Sequence, residues 1–183
     1  LADIKNHELR EELINSHILL TSVFEISPIP MWISDENGTL LRLNAACRKT
    51  LNVIEEEVIG KYTILKDNII ESKGFMPLVK DVFEKKAIAH FIIFYNTADL
   101  IGLKLKGTSN AIFEVSISPI VNAEGKLTNA IIQLIDITEK RKIHDDLRRS
   151  EEKFRNLIKN LNIGVLLQGP KAEILVSNPK ALE

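Results

Sequence analysis

The side chains best suited to nucleophilic, metal-binding or proton-transfer chemistry in this 183-residue chain are four histidines, His7, His17, His90 and His144, and one cysteine, Cys47. The histidines are too scattered to converge as a ligand cluster, so no metal is expected. A lone cysteine excludes an internal disulfide and a multi-cysteine metal site, which points to a reducing compartment. Cys47 follows Asn44-Ala45-Ala46 on an expected helix and reads as a small buried thiol packed against a sheet. His90 opens an alternating segment and reads as a partly exposed strand residue. His7 stands in the charged run His7-Glu8-Leu9-Arg10, and no Gly-rich nucleotide-binding segment follows it. It reads as a solvated helix residue, and this stretch of chain is not expected to be an enzyme.

Composition narrows the classes further. Lys and Arg number 24 against 25 Asp and Glu, a net charge of −1, which lacks the electrostatic footprint that nucleic acid or an anionic membrane would need. With 45% hydrophobic and 27% charged residues, the chain has the make-up of a soluble globular protein. No apolar run approaches the ~20 residues of a membrane helix; even Ile18 to Ile33 is interrupted by Glu25. No signal-peptide pattern opens the chain, and a cytoplasmic location is expected. Beginning at Leu1 and stopping within a pattern at Glu183, the sequence is expected to be cut from a longer protein.

The elements that position these residues are organised by an internal repeat. Ile29 to Asn44 reads as strand, turn around Asn37-Gly38, and strand; Ile163 to Asn178 reads the same way, and 163 − 29 and 178 − 44 are both 134. Without a gap, the same offset pairs Leu13 with Leu147, Ser16 with Ser150, Leu20 with Phe154 and Val23 with Leu157. Each copy closes on an asparagine, a preferred helix N-cap, followed by helix formers or by proline, which suits the first helical position. The second copy stops about a third of the way through.

The first copy continues with a short helix over Glu55 to Lys61 and an amphipathic one over Phe75 to Lys86, where Leu78, Val79, Val82 and Phe83 recur at helical spacing. The period then falls to two: Phe91, Ile93 and Tyr95 alternate with Ile92 and Phe94, and Phe113, Val115 and Ile117 alternate with Glu114, Ser116 and Ser118. Leu100 to Lys106 is a further candidate strand. After a turn at Ala123-Glu124-Gly125-Lys126, Leu127 to Ile137 is apolar enough for a central strand. The expected fold is α+β, an antiparallel sheet of about five strands with helices inserted between the second and third, flanked by amphipathic, coiled-coil-like helices.

Those flanking helices carry the partner expectation. Ile143, Leu147, Phe154, Leu157 and Leu161 follow a heptad seam, with Ser150 at the vacant position, and Leu9, Leu13, Leu20 and Val23 repeat it around Ser16. Leu9, Leu13, Leu20, Ile143, Leu147 and Phe154 are therefore expected to line a homodimer seam. Asp145–Arg149 and Glu151–Arg155, four apart, are expected as solvated ion pairs.

The order strand–turn–strand–helix, short helices, long strands, then Asp136-Ile137-Thr138-Glu139 running into a charged helix is similar to the PAS sensor domain. Val115-Ser116-Ile117-Ser118-Pro119-Ile120 adds to the likeness. The resemblance divides the chain into an N-terminal helix (1–21), a PAS domain (22–138), a linker helix (139–157) and the opening of a second PAS domain (158–183). It implies a ligand pocket between sheet and inserted helices, drawing on Trp32, Tyr62, Phe75, Tyr95 and Phe113. It also implies that Asp136, Thr138 and Glu139 pass a change in the domain to the linker helix. Independently of the family, Asp136 and Glu139 have the spacing of a capping box. Haem is not expected, because the helix before the third strand has no histidine; flavin is not expected, because Cys47 lies outside the flavin-reactive motif of light-sensing relatives. The cofactor is left open. His7-Glu8-Leu9-Arg10 resembles the start of the phosphoacceptor box of sensor histidine kinases, with Glu11-Glu12 where that box has Thr-Pro. The organisation as a whole resembles the input region of such a kinase. The expected function is a sensory module coupling a small ligand or partner to a coiled-coil output helix; the alternative is a ligand-free dimerisation and spacer module.

Overall fold

The computed structural model describes residues 2–181, with the side chains of His7 and of Leu9 onward. Two units are distinct, one ending at Ile137 and one beginning at Thr138.

The first unit opens with α1 (Ala2–Ile26), then the hairpin β1 (Met31–Asp35) and β2 (Leu40–Leu43). Asp35 builds its turn: one carboxylate oxygen accepts from the amides of Asn37 at 2.9 Å and Thr39 at 2.8 Å. Gly38 completes it at φ +78°, where a Cβ would stand 3.0 Å from Ile64 Cγ2, so only glycine suits both the backbone and the close approach. Four short helices follow, α2 (Ala45–Leu51), α3 (Glu55–Val58), α4 (Asn68–Ser72) and α5 (Met76–Lys85). Local patterns in the sequence mark α2, α3 and α5 but not α4, which is only five residues long.

Three long strands complete the unit: β3 (Ala89–Asn96), β4 (Asn110–Val121) and β5 (Leu127–Asp136). The five-stranded antiparallel sheet has the order β2-β1-β5-β4-β3, so the first strand lies beside the last, Trp32 opposite Ile132. The period-two pattern sorts the faces as expected. Ala89, Phe91, Ile93, Phe113, Val115, Ile117, Ile132 and Leu134 point into the core, where they meet Val79 and Val82 of α5 and Ile69 and Ile70 of α4. The outward residues Ile92 and Phe94 are exposed.

Leu100 to Lys106 is not the strand its alternation suggests. Residues 97–99 form a 3₁₀ turn and the chain then runs irregularly to β4. Leu100, Leu103 and Leu105 dip against the core instead, and that dipping produces the apolar spacing. Gly107 permits this course, since a Cβ there would lie 2.4 Å from the carbonyl oxygen of Asn52.

The second unit comprises α6 (Thr138–Asn160) and a hairpin of β6 (Leu166–Gln168) and β7 (Ile174–Ser177). α1 runs to Ile26 and α6 to Asn160. Along α6 the ion pair formed is Arg148–Glu152 at 3.9 Å; Asp145–Arg149 and Glu151–Arg155 are not ion-paired. No described helix is long and apolar enough to cross a membrane.

Candidate functional site

A cavity of about 60 Å³ lies between the inner face of the sheet and the inserted helices. Its wall is almost wholly apolar, built from Leu40 and Leu43 of β2, Phe91 and Ile93 of β3, Phe113 and Val115 of β4, and Ile132 and Leu134 of β5. A cavity that holds benzene measures roughly 150 Å³, so this one suits a molecule of a few heavy atoms. Leu100, Leu103 and Leu105 close one side. Their loop is tethered by polar contacts: Asn68 accepts from the Ile101 amide at 2.9 Å and donates to the Asp99 carbonyl at 2.9 Å. Glu57 Oε1 accepts from the Lys106 amide at 3.1 Å.

Of the five pocket aromatics expected from sequence, Trp32, Tyr62, Tyr95 and Phe113 line the cavity. Phe75 does not; it stands behind Phe91, stacked on it with ring centroids 4.6 Å apart and 12° between planes. Trp32 meets Tyr62 edge-on at 5.5 Å, a favoured aromatic geometry.

Two of the lining residues, Tyr62 and Tyr95, direct their hydroxyls to one residue that is not itself on the wall and that no sequence pattern singled out as a site. Asp67, 2% exposed, caps α4 with Oδ1, accepting from the amides of Ile69 at 2.7 Å and Ile70 at 3.0 Å. Its Oδ2 accepts the Tyr62 hydroxyl at 2.6 Å and the Tyr95 hydroxyl as well. Four donors therefore satisfy a buried carboxylate, as burial of a charge requires. Burial pushes both phenols well above their ordinary range, reinforced at Tyr62 by Tyr95 and Asp67 and at Tyr95 by Asp67. Asp67-Asn68 before an apolar pair is a helix-start signal, and that was the clue available.

Beside the cavity, α2 joins the core to α1. Asn44, fully buried, accepts from the Cys47 amide at 2.9 Å and the Met31 amide at 3.0 Å through Oδ1. Its Nδ2 donates to the carbonyls of Phe24 at 3.1 Å, Ser27 at 3.4 Å and Ile29 at 2.8 Å. Arg48 adds ion pairs to Glu25 of α1 and, at 2.7 Å, to Glu55 of α3. In the sequence alone, Asn44 is marked only as a helix cap. Cys47 is buried, and desolvation lifts its thiol to about 12 against the smaller opposing pull of Arg48; such a thiol is inert rather than nucleophilic.

The remaining sequence candidates lie elsewhere. His90 sits on the outer face of β3, 3.1 Å from Ser116 Oγ and 3.1 Å from Glu114 on β4. Asp136 ends β5 opposite Phe113, and buried Ile137 donates its amide to the Ile112 carbonyl at 2.9 Å. Thr138 begins α6, with Glu139 in its first turn. The seam residues are exposed on their helices, Leu13 by 71% and Leu147 by 58%, with Leu9, Leu20, Ile143 and Phe154 similarly open. On α1 the apolar surface is broader than one seam, because Ile14, Ile18 and Leu19 are also exposed. No group of three or more His, Cys, Asp or Glu among the described residues could hold a metal ion.

Comparison with known proteins gives a consistent picture. Residues 28–139 match the family model described as PAS domain. Among curated proteins, no sequence match is found. Among solved structures, an RNA-binding light-oxygen-voltage receptor superposes with a TM-score of 0.55 at 15% identity, over 75% of this chain and 37% of that one. The PAS domain of an HTR-like protein from Haloarcula marismortui gives 0.50 at 22% identity, covering 73% of this chain and 99% of that domain. A domain of the sensory box sensor histidine kinase/response regulator from Geobacter sulfurreducens gives 0.50 at 12% identity, over 68% and 96%. At these identities the likeness is one of fold.

Proposed function

Because the chain belongs to the PAS domain family, whose members are sensory and signalling modules, we propose that it is the input region of a sensor histidine kinase, in which occupancy of the Tyr62–Tyr95 cavity biases the flanking helices. The observation that carries this reading is the cavity itself, with apolar walls, a lining that includes Tyr62 and Tyr95, whose hydroxyls meet Asp67, and a loop bearing three leucines at its rim. A ligand can shift an equilibrium only if it binds the two states differently. A guest would press on Leu100, Leu103 and Leu105, on Leu43 just before α2, and on Leu51, the last residue of α2. From there Asn44 and Arg48 lead to α1, while Phe113 leads across its pairing with Asp136 toward Thr138 and Glu139.

In this reading the exposed apolar faces of α1 and α6 pair with those of a second copy, the site of action is the cytoplasm, and residues 158–183 open a second PAS unit. The Geobacter sulfurreducens domain, which belongs to a sensor histidine kinase, supports the kinase context. The alternative, a ligand-free dimerisation and spacer module, draws on the small size of the cavity, about 60 Å³.

Native mass spectrometry of the purified chain, beside a denatured control and an absorbance scan, separates the two. The sensory reading expects a bound mass or a ligand-induced rise in melting temperature. A fully apo dimer whose melting is unmoved by any small molecule establishes the spacer instead.

A further inference from the structure

The two tyrosine hydroxyls carry information about what the cavity takes. Tyr62 and Tyr95 both line the wall, whereas Asp67 stands behind them. Each hydroxyl owns one proton and two acceptor lone pairs, and both protons are committed to the same oxygen, Asp67 Oδ2. That commitment is firm, because the carboxylate is buried and has no other donor for this oxygen among the described residues. A hydrogen bond to an ionised acceptor is roughly twice as strong as a neutral one, so a neutral guest does not win either proton, and an anionic one would have to leave Asp67 Oδ2 buried without its donors. The phenolic oxygens are left with lone pairs. Thr97, the other hydroxyl at the wall, is likewise engaged: it accepts from the Ser109 amide at 2.7 Å and donates to the Ser109 carbonyl at 3.2 Å.

We infer that the cavity selects a small apolar molecule headed by a hydrogen-bond donor, an alcohol or a protonated amine, and discriminates against carboxylates and other anions. A donor head meets two phenolic oxygens whose electron density is raised by the carboxylate behind them. An anionic head meets the same lone pairs and the charge of Asp67 across a low-dielectric wall, where like charges repel strongly. Trp32, Phe91 and Phe113 provide the apolar body of the site, and an ammonium head there gains cation–π attraction from the rings that offsets part of its desolvation. The inference rests on the reading that this cavity is where a ligand enters, and it adds the ligand's chemistry.

Three two-carbon probes of nearly equal size test it on the intact chain: ethanol, ethylammonium and acetate at matched ionic strength, with xenon as an apolar control. The readout is the shift of the methyl resonances of Ile64, Ile93 and Ile132, all on the wall. Ethanol or ethylammonium should bind at least about tenfold tighter than acetate, a ratio that one well-placed hydrogen bond and one repelled charge supply. Tyr62→Phe and Tyr95→Phe, made singly, should each shrink that ratio while leaving xenon binding intact. Acetate binding as well as the donor-headed probes, with xenon also bound, overturns the inference and leaves the cavity reading standing. No response to xenon or to any probe removes the cavity reading and the inference together.

Discussion

Asn44 and Asn178 make the same hydrogen bonds 134 residues apart. Where Asn44 Nδ2 reaches the carbonyls of Phe24, Ser27 and Ile29, Asn178 Nδ2 reaches those of Ile158 at 3.1 Å, Leu161 at 3.5 Å and Ile163 at 2.8 Å. Where Asn44 Oδ1 accepts from Met31 and Cys47, Asn178 Oδ1 accepts from Val165 at 2.8 Å and Ala181 at 3.1 Å. Every partner is displaced by the repeat offset. One buried amide thus ties the end of a long helix, the entry to a hairpin and the start of the next helix into a single corner.

Asn44→Ala should destabilise the first unit by about 3 kcal/mol, since several buried backbone groups lose their partner at roughly 1–3 kcal/mol each before relaxation. Asn44→Asp should also be costly, because it turns an oxygen toward three carbonyls. Urea denaturation checks both, and hydrogen exchange should show the last turn of α1 losing protection first.

Arg48→Ala removes the links to Glu25 and Glu55 while leaving the asparagine corner in place. The pairs are partly exposed, so the stability loss should stay near or below ~1 kcal/mol. The larger effect should be faster hydrogen exchange at the α1 end, and unchanged exchange there would show that Asn44 alone fastens the helix.

Tyr62→Phe and Tyr95→Phe should be non-additive in stability, because both hydroxyls serve one oxygen of Asp67. The first loss leaves three donors on the carboxylate; the second leaves Oδ2 bare and buried. A double-mutant cycle should return a coupling of about 1 kcal/mol or more, and strict additivity would break the shared-acceptor geometry.

Stability should fall as pH rises above about 9. Cys47, Tyr62 and Tyr95 are all acids whose folded pKa is raised, the thiol to about 12. Above its unfolded pKa each group holds its proton only in the folded chain, so unfolding releases protons and is favoured by alkali. The thiol's contribution is fully present below pH 9 and lost progressively toward 12, at about 1 kcal/mol per pH unit. Cys47→Ala should flatten the urea-midpoint profile between pH 9 and 11 by about one proton's worth.

Leu13→Arg and Leu147→Arg each place a charge in the exposed apolar stripe without touching the buried core. Sedimentation should show the wild-type chain as a dimer and each variant shifted toward monomer, with melting of the first unit unchanged. A wild-type monomer, or variants that stay dimeric, would move the interface off these seams.

How much of this was legible in the sequence depends on the range of the interactions. The 134-residue repeat, the hairpin and the alternating faces of β3 to β5 are local periodicities, and all were readable. Asn44 was readable as a cap because its Cys47 bond spans three residues; its bonds to Phe24 and Ser27 depend on the path of the chain after α1, which no local pattern encodes. The same limit hid the site's centre. Tyr62 lies five residues from Asp67, but Tyr95 lies 28 away and joins it only because β3 runs past the end of α4. Leu100 to Lys106 misled because a leucine-lined rim and a half-buried strand leave similar spacing.

The sheet order carries a consequence for synthesis on the ribosome. Met31 and Gln133 are partners across the β1–β5 pairing yet lie 102 residues apart. At roughly 5–20 residues per second, the β1–β2 hairpin spends several seconds or more outside the ribosome before the strand that buries its open edge is made. During that interval an apolar hairpin edge is exposed to any neighbouring nascent chain, and the β6–β7 copy repeats the same hairpin. Chains on one polysome therefore present matching unpaired edges in close succession until each β5 is made.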